Sequence, residues 1–186
     1  MNTELTTTRL KEKGFTLIES IIGIVVLAIS FSLLTTLILP LSEKSAEQLH
    51  QVRAAELGQS MMNEIIARAF DQQSDMSGGL IRCGENATTC TSHANLGADN
   101  GETEGVLYND VDDYINFNFN NETNAFGESY STLYPGFRVQ VAVCYSKLPT
   151  ISTNCSATIE LAKRITVTVT TPQDFYFVFS FYKANF

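Results

Sequence analysis

An α+β fold is predicted, with a long N-terminal helix packed on a C-terminal antiparallel sheet. Three features of the 186-residue chain predict it. Residues 15–39 form an unbroken apolar run with one ionisable side chain, Glu19. Apolar residues then recur at helical spacing to about Phe70. The last third holds three segments that alternate apolar and polar residues.

The elements follow in order. Residues 1–14 are a short polar leader, and residues 15–40 an apolar helix of roughly 37 Å, enough to cross a bilayer core of about 30 Å. Pro40 lacks an N–H and should loosen or kink the helix. Residues 41–70 continue as an amphipathic helix whose stripe is Leu49, Val52, Leu57, Met61, Ile65, Ile66 and Ala69. Residues 71–130 read as a variable loop region, opened by Gly78-Gly79 and rich in Asp, Asn, Ser, Thr and Gly. Within it, Tyr114–Phe119 alternates and predicts a short strand. Residues 131–186 carry the sheet. Phe137, Val139, Val141, Val143 and Tyr145 share one face of its first strand. Ile159, Leu161, Ile165, Val167 and Val169 belong to the second, and Phe175, Phe177, Phe179 and Phe181 to the third. Thr171-Pro172-Gln173-Asp174 is the turn before the third strand. An antiparallel meander buried on one face results, with the long helix as its cover.

Charge sets the orientation. Arg9, Lys11 and Lys13 precede the apolar run, whereas Glu43 and Lys44 follow it. Positive flanks stay in the cytoplasm, so the C-terminal part is expected across the membrane. The net charge is −8, and it is carried beyond the leader, which disfavours nucleic-acid binding. Four cysteines suit an oxidising compartment. Three pairings are possible, and the local pairs Cys83–Cys90 and Cys144–Cys155 are favoured. Their spacing differs from common zinc ribbons, and His50 and His93 are the only histidines.

A carboxylate one turn inside an apolar span costs a few kcal/mol unless it is paired. Glu19 is in that position. A cut between Gly14 and Phe15 would create an ammonium at the edge of the span, able to neutralise Glu19 of a neighbouring subunit. The alternatives are pairing within one chain and snorkelling to the interface. An ordinary signal cleavage after Ala28-Ile29-Ser30 would expose the apolar residues that follow.

Lys13-Gly14-Phe15-Thr16-Leu17-Ile18-Glu19, followed by about 20 apolar residues, resembles the leader of type IV pilins and pseudopilins. That resemblance implies a pilin-like fold. It also implies a prepilin peptidase that cuts after Gly14 and N-methylates Phe15, and an assembly role for Glu19. The partners it implies are other pilins, contacted through the N-terminal helix, and an inner-membrane assembly platform. The expected location is the bacterial inner membrane, single-pass with a periplasmic C-terminal domain, and then a pilus or pseudopilus. The resemblance is specific over residues 13–40.

Asp110, Asp112 and Asp113 form the densest acidic cluster, and oxygen ligands at such spacing could hold a structural Ca2+. The competing reading is a solvated acidic turn. The cluster lacks the glycine and terminal glutamate of an EF-hand. No nucleophile elbow, phosphate loop or HExxH motif points to catalysis, so no catalytic residue and no cofactor are assigned. The expected function is a structural subunit, either of a type IV pilus or of a type II secretion pseudopilus. A pilus-displayed adhesin or DNA-uptake protein is the alternative from another class.

Overall fold

The computed structural model describes residues 14–75, 81–86, 88–124, 126–147 and 154–186, without the side chains of 39–43, 45 and 46. The expected leader up to Lys13 and the Gly78-Gly79 break lie outside the described residues. The fold is α+β. Its principal elements are helix α1 (Leu17–Ile66), a short helix α2 (Tyr130–Leu133), and strands β1 (Arg138–Ser146), β2 (Ala162–Thr170) and β3 (Tyr176–Ala184). The chain divides into two compact units, Met1–Ala46 and Glu47–Phe186.

In the first unit, α1 starts on a cap. Thr16 lies just outside the helix, and its Oγ1 accepts the N–H of Glu19 at 3.4 Å. This satisfies one of the donors that a helix start leaves open. Glu19 lies in the first turn, where the helix dipole favours a negative charge. From Gly14 to Ile38 every residue is exposed. Leu17–Ile38 is long and apolar enough to cross a membrane. A helix apolar on all sides finds its solvent in lipid or in other helices. The helix continues through Pro40 into the segment expected to be its amphipathic continuation.

In the second unit, the rest of α1 buries Ala54, Leu57, Met61 and Ile65. Leu49, Val52 and Ile66, expected on the same stripe, are exposed at 55%, 65% and 45%. The buried stripe is therefore narrower than the sequence suggested, and it runs through Ala54 and Gly58. The small residues allow close approach: a Cβ on Gly58 would lie 2.3 Å from the Phe179 ring. Gly58→Ala is expected to destabilise this unit by about 1–3 kcal/mol through overpacking, although alanine favours the helix itself. Thermal unfolding checks this; a stabilised variant would mean that Phe179 moves aside freely.

The sheet is an antiparallel meander of order β1-β2-β3. Its inner face stacks in rows: Val139, Val169 and Phe177; Val141, Val167 and Phe179; Val143, Ile165 and Phe181. The predicted turn closes at its expected residues, with Asp174 N–H donating to Thr171 O at 3.0 Å. Ile159 and Leu161, expected in the second strand, precede β2 and are exposed.

The predicted strand over Tyr114–Phe119 does not form. Asp112–Tyr114 is a 3-10 turn, and Asn116 takes a left-handed φ of 64°. Phe117 N–H then bonds back to Tyr114 O at 3.1 Å, so the chain turns where a strand would extend. Tyr114, Phe117 and Phe119 are nevertheless buried, and they join Tyr108 and Tyr130 in an aromatic cluster. Glu64 of α1 ties this region down by accepting the hydroxyls of Tyr114 at 2.9 Å and Tyr130 at 2.8 Å. Both phenols are pushed well above their ordinary range, first by burial and further by the Glu64 charge.

Candidate functional site

Gly14, Phe15 and Glu19 lie within one short exposed stretch at the start of α1. Gly14 and Phe15 precede the helix and are exposed, so the peptide bond between them lies outside the helical hydrogen-bond ladder, where a peptidase could reach it. Phe15 is 83% exposed. Glu19 has no side-chain partner among the described residues. Its backbone is fixed by Thr16, and its carboxylate is left available one turn into the apolar face. This arrangement offers a charged group to a partner outside the chain.

The second feature is buried. Asp110, Asp112 and Asp113 are brought together as the sequence suggested, but they are not a solvated turn: all three are at most 2% exposed. Each carboxyl is turned to a different task. Asp110 Oδ1 accepts the N–H of Asp112 at 2.8 Å. Asp113 Oδ2 accepts the N–H groups of Asn109 and Asp110 at 2.8 and 2.9 Å. Asp112 Oδ1 pairs with the ammonium of Lys163. Burial, followed by the Asp112 charge, pushes the Asp110 carboxyl up to about 9.

Lys163 was not singled out from the sequence. It lies on the inner face of β2, opposite Tyr145 of β1 and Lys183 of β3, and is fully buried. Its Nζ donates to Phe70 O at 2.7 Å, to Asp71 Oδ2 at 3.1 Å and to Asp112 Oδ1. All three ammonium donors are thereby used. The Phe70 ring lies 4.8 Å from the ammonium and the Tyr145 ring 5.5 Å. Asp71 also takes the backbone N–H of Thr91 at 3.0 Å, while Tyr145 OH donates to Thr91 O at 2.6 Å. One lysine thus joins β2, the chain after α1 and the acidic loop. Its neighbour Lys183 donates to Ile66 O at 2.9 Å, supplying the base that the last turn of α1 lacks. The clue in the sequence was parity: 163 belongs to the same alternating set as 165, 167 and 169.

The cysteines pair as Cys83–Cys90 and Cys144–Cys155, with Cα separations of 4.8 and 5.6 Å. Asp71 lies close to the first pair, but its two sulfurs are bonded to each other and offer no thiolate to a metal. The second bridge clasps the connection from β1 to β2.

The family model of the prokaryotic N-terminal methylation motif matches residues 9–35. That stretch contains Gly14, Phe15, Glu19 and most of the apolar span. The match supports a type IV pilin-like or pseudopilin subunit, processed by a prepilin peptidase and assembled with other pilins. The motif marks a family of structural subunits and not of enzymes. No curated protein and no solved structure matches the chain.

Proposed function

We propose that this chain is a minor structural subunit of a type IV pilus. It is made as a precursor, cut between Gly14 and Phe15, methylated on Phe15 and inserted into a filament from the bacterial inner membrane. In this reading the domain built on the sheet is periplasmic before assembly. The subunit meets the peptidase, an inner-membrane assembly platform and other pilins through its N-terminal helix. The observation that carries the reading is Glu19, an exposed carboxylate unpaired among the described residues and one turn inside a span that the methylation motif covers.

Three further stretches resemble the D minor pilin of the mannose-sensitive haemagglutinin (MSHA) pilus system. They are Asn109-Asp110-Val111-Asp112-Asp113-Tyr114, Tyr134-Pro135-Gly136-Phe137 and Gln51–Gln59. The first two have structural duties. The acidic stretch is the loop that Lys163 holds, and Tyr134–Phe137 leads the chain into β1. On that resemblance the subunit helps to start pilus assembly at low copy number.

Deletion of the gene and complementation in the producing bacterium test this reading. Mannose-sensitive haemagglutination and surface pili are expected to fall at least tenfold, with type II secretion unchanged, and to return with the plasmid copy. Loss of secretion with pili intact would transfer the subunit to a pseudopilus. Normal pili lacking only adhesion or DNA uptake would favour a displayed binding protein.

A further inference from the structure

The buried acidic loop contains more carboxyl groups than Lys163 pairs with. Asp71, Asp110, Asp112 and Asp113 are all buried, and Lys163 is the only buried base among the described residues. Its ammonium is spent on Asp71 and Asp112. Asp113, on the far side of the loop, is 0% exposed and receives donors only on Oδ2. Its Oδ1 is buried with no hydrogen-bond partner among the described residues, as is the amide oxygen of the adjacent Asn109. Leaving an acceptor buried and unmet costs about 1–3 kcal/mol, more for a charged group.

A third carboxylate, that of Glu102, is bonded to the side chain of Asn109. The Glu102 carboxylate accepts the side-chain amide of Asn109 on Oε1 and the N–H of Asp99 at 3.0 Å on Oε2. Its charge also acts on Asp113, whose carboxyl is pushed up to about 6, first by burial and, among its neighbouring charges, by Glu102. The backbone N–H groups of Asp110 and Asn109 oppose that rise. Two carboxylates and an amide oxygen, with no nitrogen or sulfur donor, form a hard oxygen set.

We propose that Glu102, Asn109 and Asp113 hold a calcium ion. Asp113 Oδ1 and Asn109 Oδ1 contribute the two buried oxygens, Glu102 adds a carboxylate oxygen, and water completes the shell. These ligands differ from the trio suggested by acidic spacing alone, because Asp112 is committed to Lys163 and Asp110 to the backbone of its own loop. Calcium fits better than magnesium because the ligands come from irregular loop, which accommodates a variable shell more readily than a strict octahedron. The ion would pin the stretch from Glu102 to Asp113 with its charge matched.

The test uses the full chain in detergent micelles, stripped with EDTA. Calcium chloride titration by calorimetry is expected to show one ion per chain and to raise the Tm, with magnesium chloride much weaker. Glu102→Gln and Asn109→Ala, both at half-buried positions that fold should tolerate, are each expected to weaken binding at least tenfold. Glu85→Gln, at an exposed carboxylate outside the cluster, is expected to leave binding unchanged. Absence of both heat and Tm shift in the parent chain would overturn the site. So would undiminished binding in the Glu102 and Asn109 variants.

Discussion

Glu19→Ala is expected to remove the subunit from sheared filaments while leaving the cut between Gly14 and Phe15 in place. An unpaired charge costs about 2.5–3.5 kcal/mol at the centre of an apolar span and less in its first turn, where Glu19 lies, and a neighbour's α-ammonium removes that cost only on assembly. Losing the pair leaves the ammonium unmatched. At 1.4 kcal/mol per factor of ten, incorporation is expected to fall roughly tenfold to a hundredfold. The substitution spares the helix start, because Thr16 caps the backbone N–H of residue 19 and not its side chain. Glu19→Gln separates charge from size: it keeps the volume and should fail like alanine. Immunoblots of sheared filaments against membranes measure incorporation, and the mass of the membrane pool reports cleavage. Normal incorporation of both variants would favour pairing within one chain, or no pairing at all. The same carboxylate bears on position. A subunit at the extreme tip has no neighbour above it to supply an amine, so a working Glu19 implies another subunit above this one.

The largest stability effect is expected at Lys163. Lys163→Met would leave Asp71 and Asp112 buried without their cation and Phe70 O without its donor. Breaking a buried pair from one side costs about 3–5 kcal/mol. At roughly 2–4 °C per kcal/mol for a chain of this size, the Tm should fall by about 6–20 °C. Lys183→Met is the milder control, since it loses one bond to a helix-end carbonyl from a position open to water; about 1 kcal/mol is expected. Thermal unfolding followed by circular dichroism measures both. A Lys163 variant as stable as the Lys183 variant would mean that the acidic loop reorganises or takes up protons without loss.

The sequence displayed some of this architecture and concealed the rest, for identifiable reasons. The apolar run, the three strands and the turn at Thr171–Asp174 were legible because burial on one face imposes a period of two on strands, and lipid imposes a continuous run on a helix. Glu19 stood out because a charge is rare in such a run. Two features misled. Alternation from Tyr114 to Phe119 suggested a strand, yet the same residues bury their aromatics from a turn at Asn116; period two reports burial and not extension. On α1, Leu49 and Val52 have the right spacing but are exposed, because Ala54 and Gly58 mark where the sheet comes closest. Lys163 was hidden by its residue type. A lysine is seldom placed in a core by pattern alone, and the carbonyl and carboxylates that make it tolerable come from residues 51–93 positions away. Parity along β2 was the one local hint.

The most direct measurement of the central claim is the intact mass and N-terminal sequence of the subunit recovered from filaments. A chain that begins at Phe15, lacks the first fourteen residues and carries one added methyl on its α-amine is the expected result. A chain that still begins at Met1, or one that begins at Phe31 after signal-peptide cleavage, would contradict it, because neither places an ammonium where a neighbour's Glu19 could meet it.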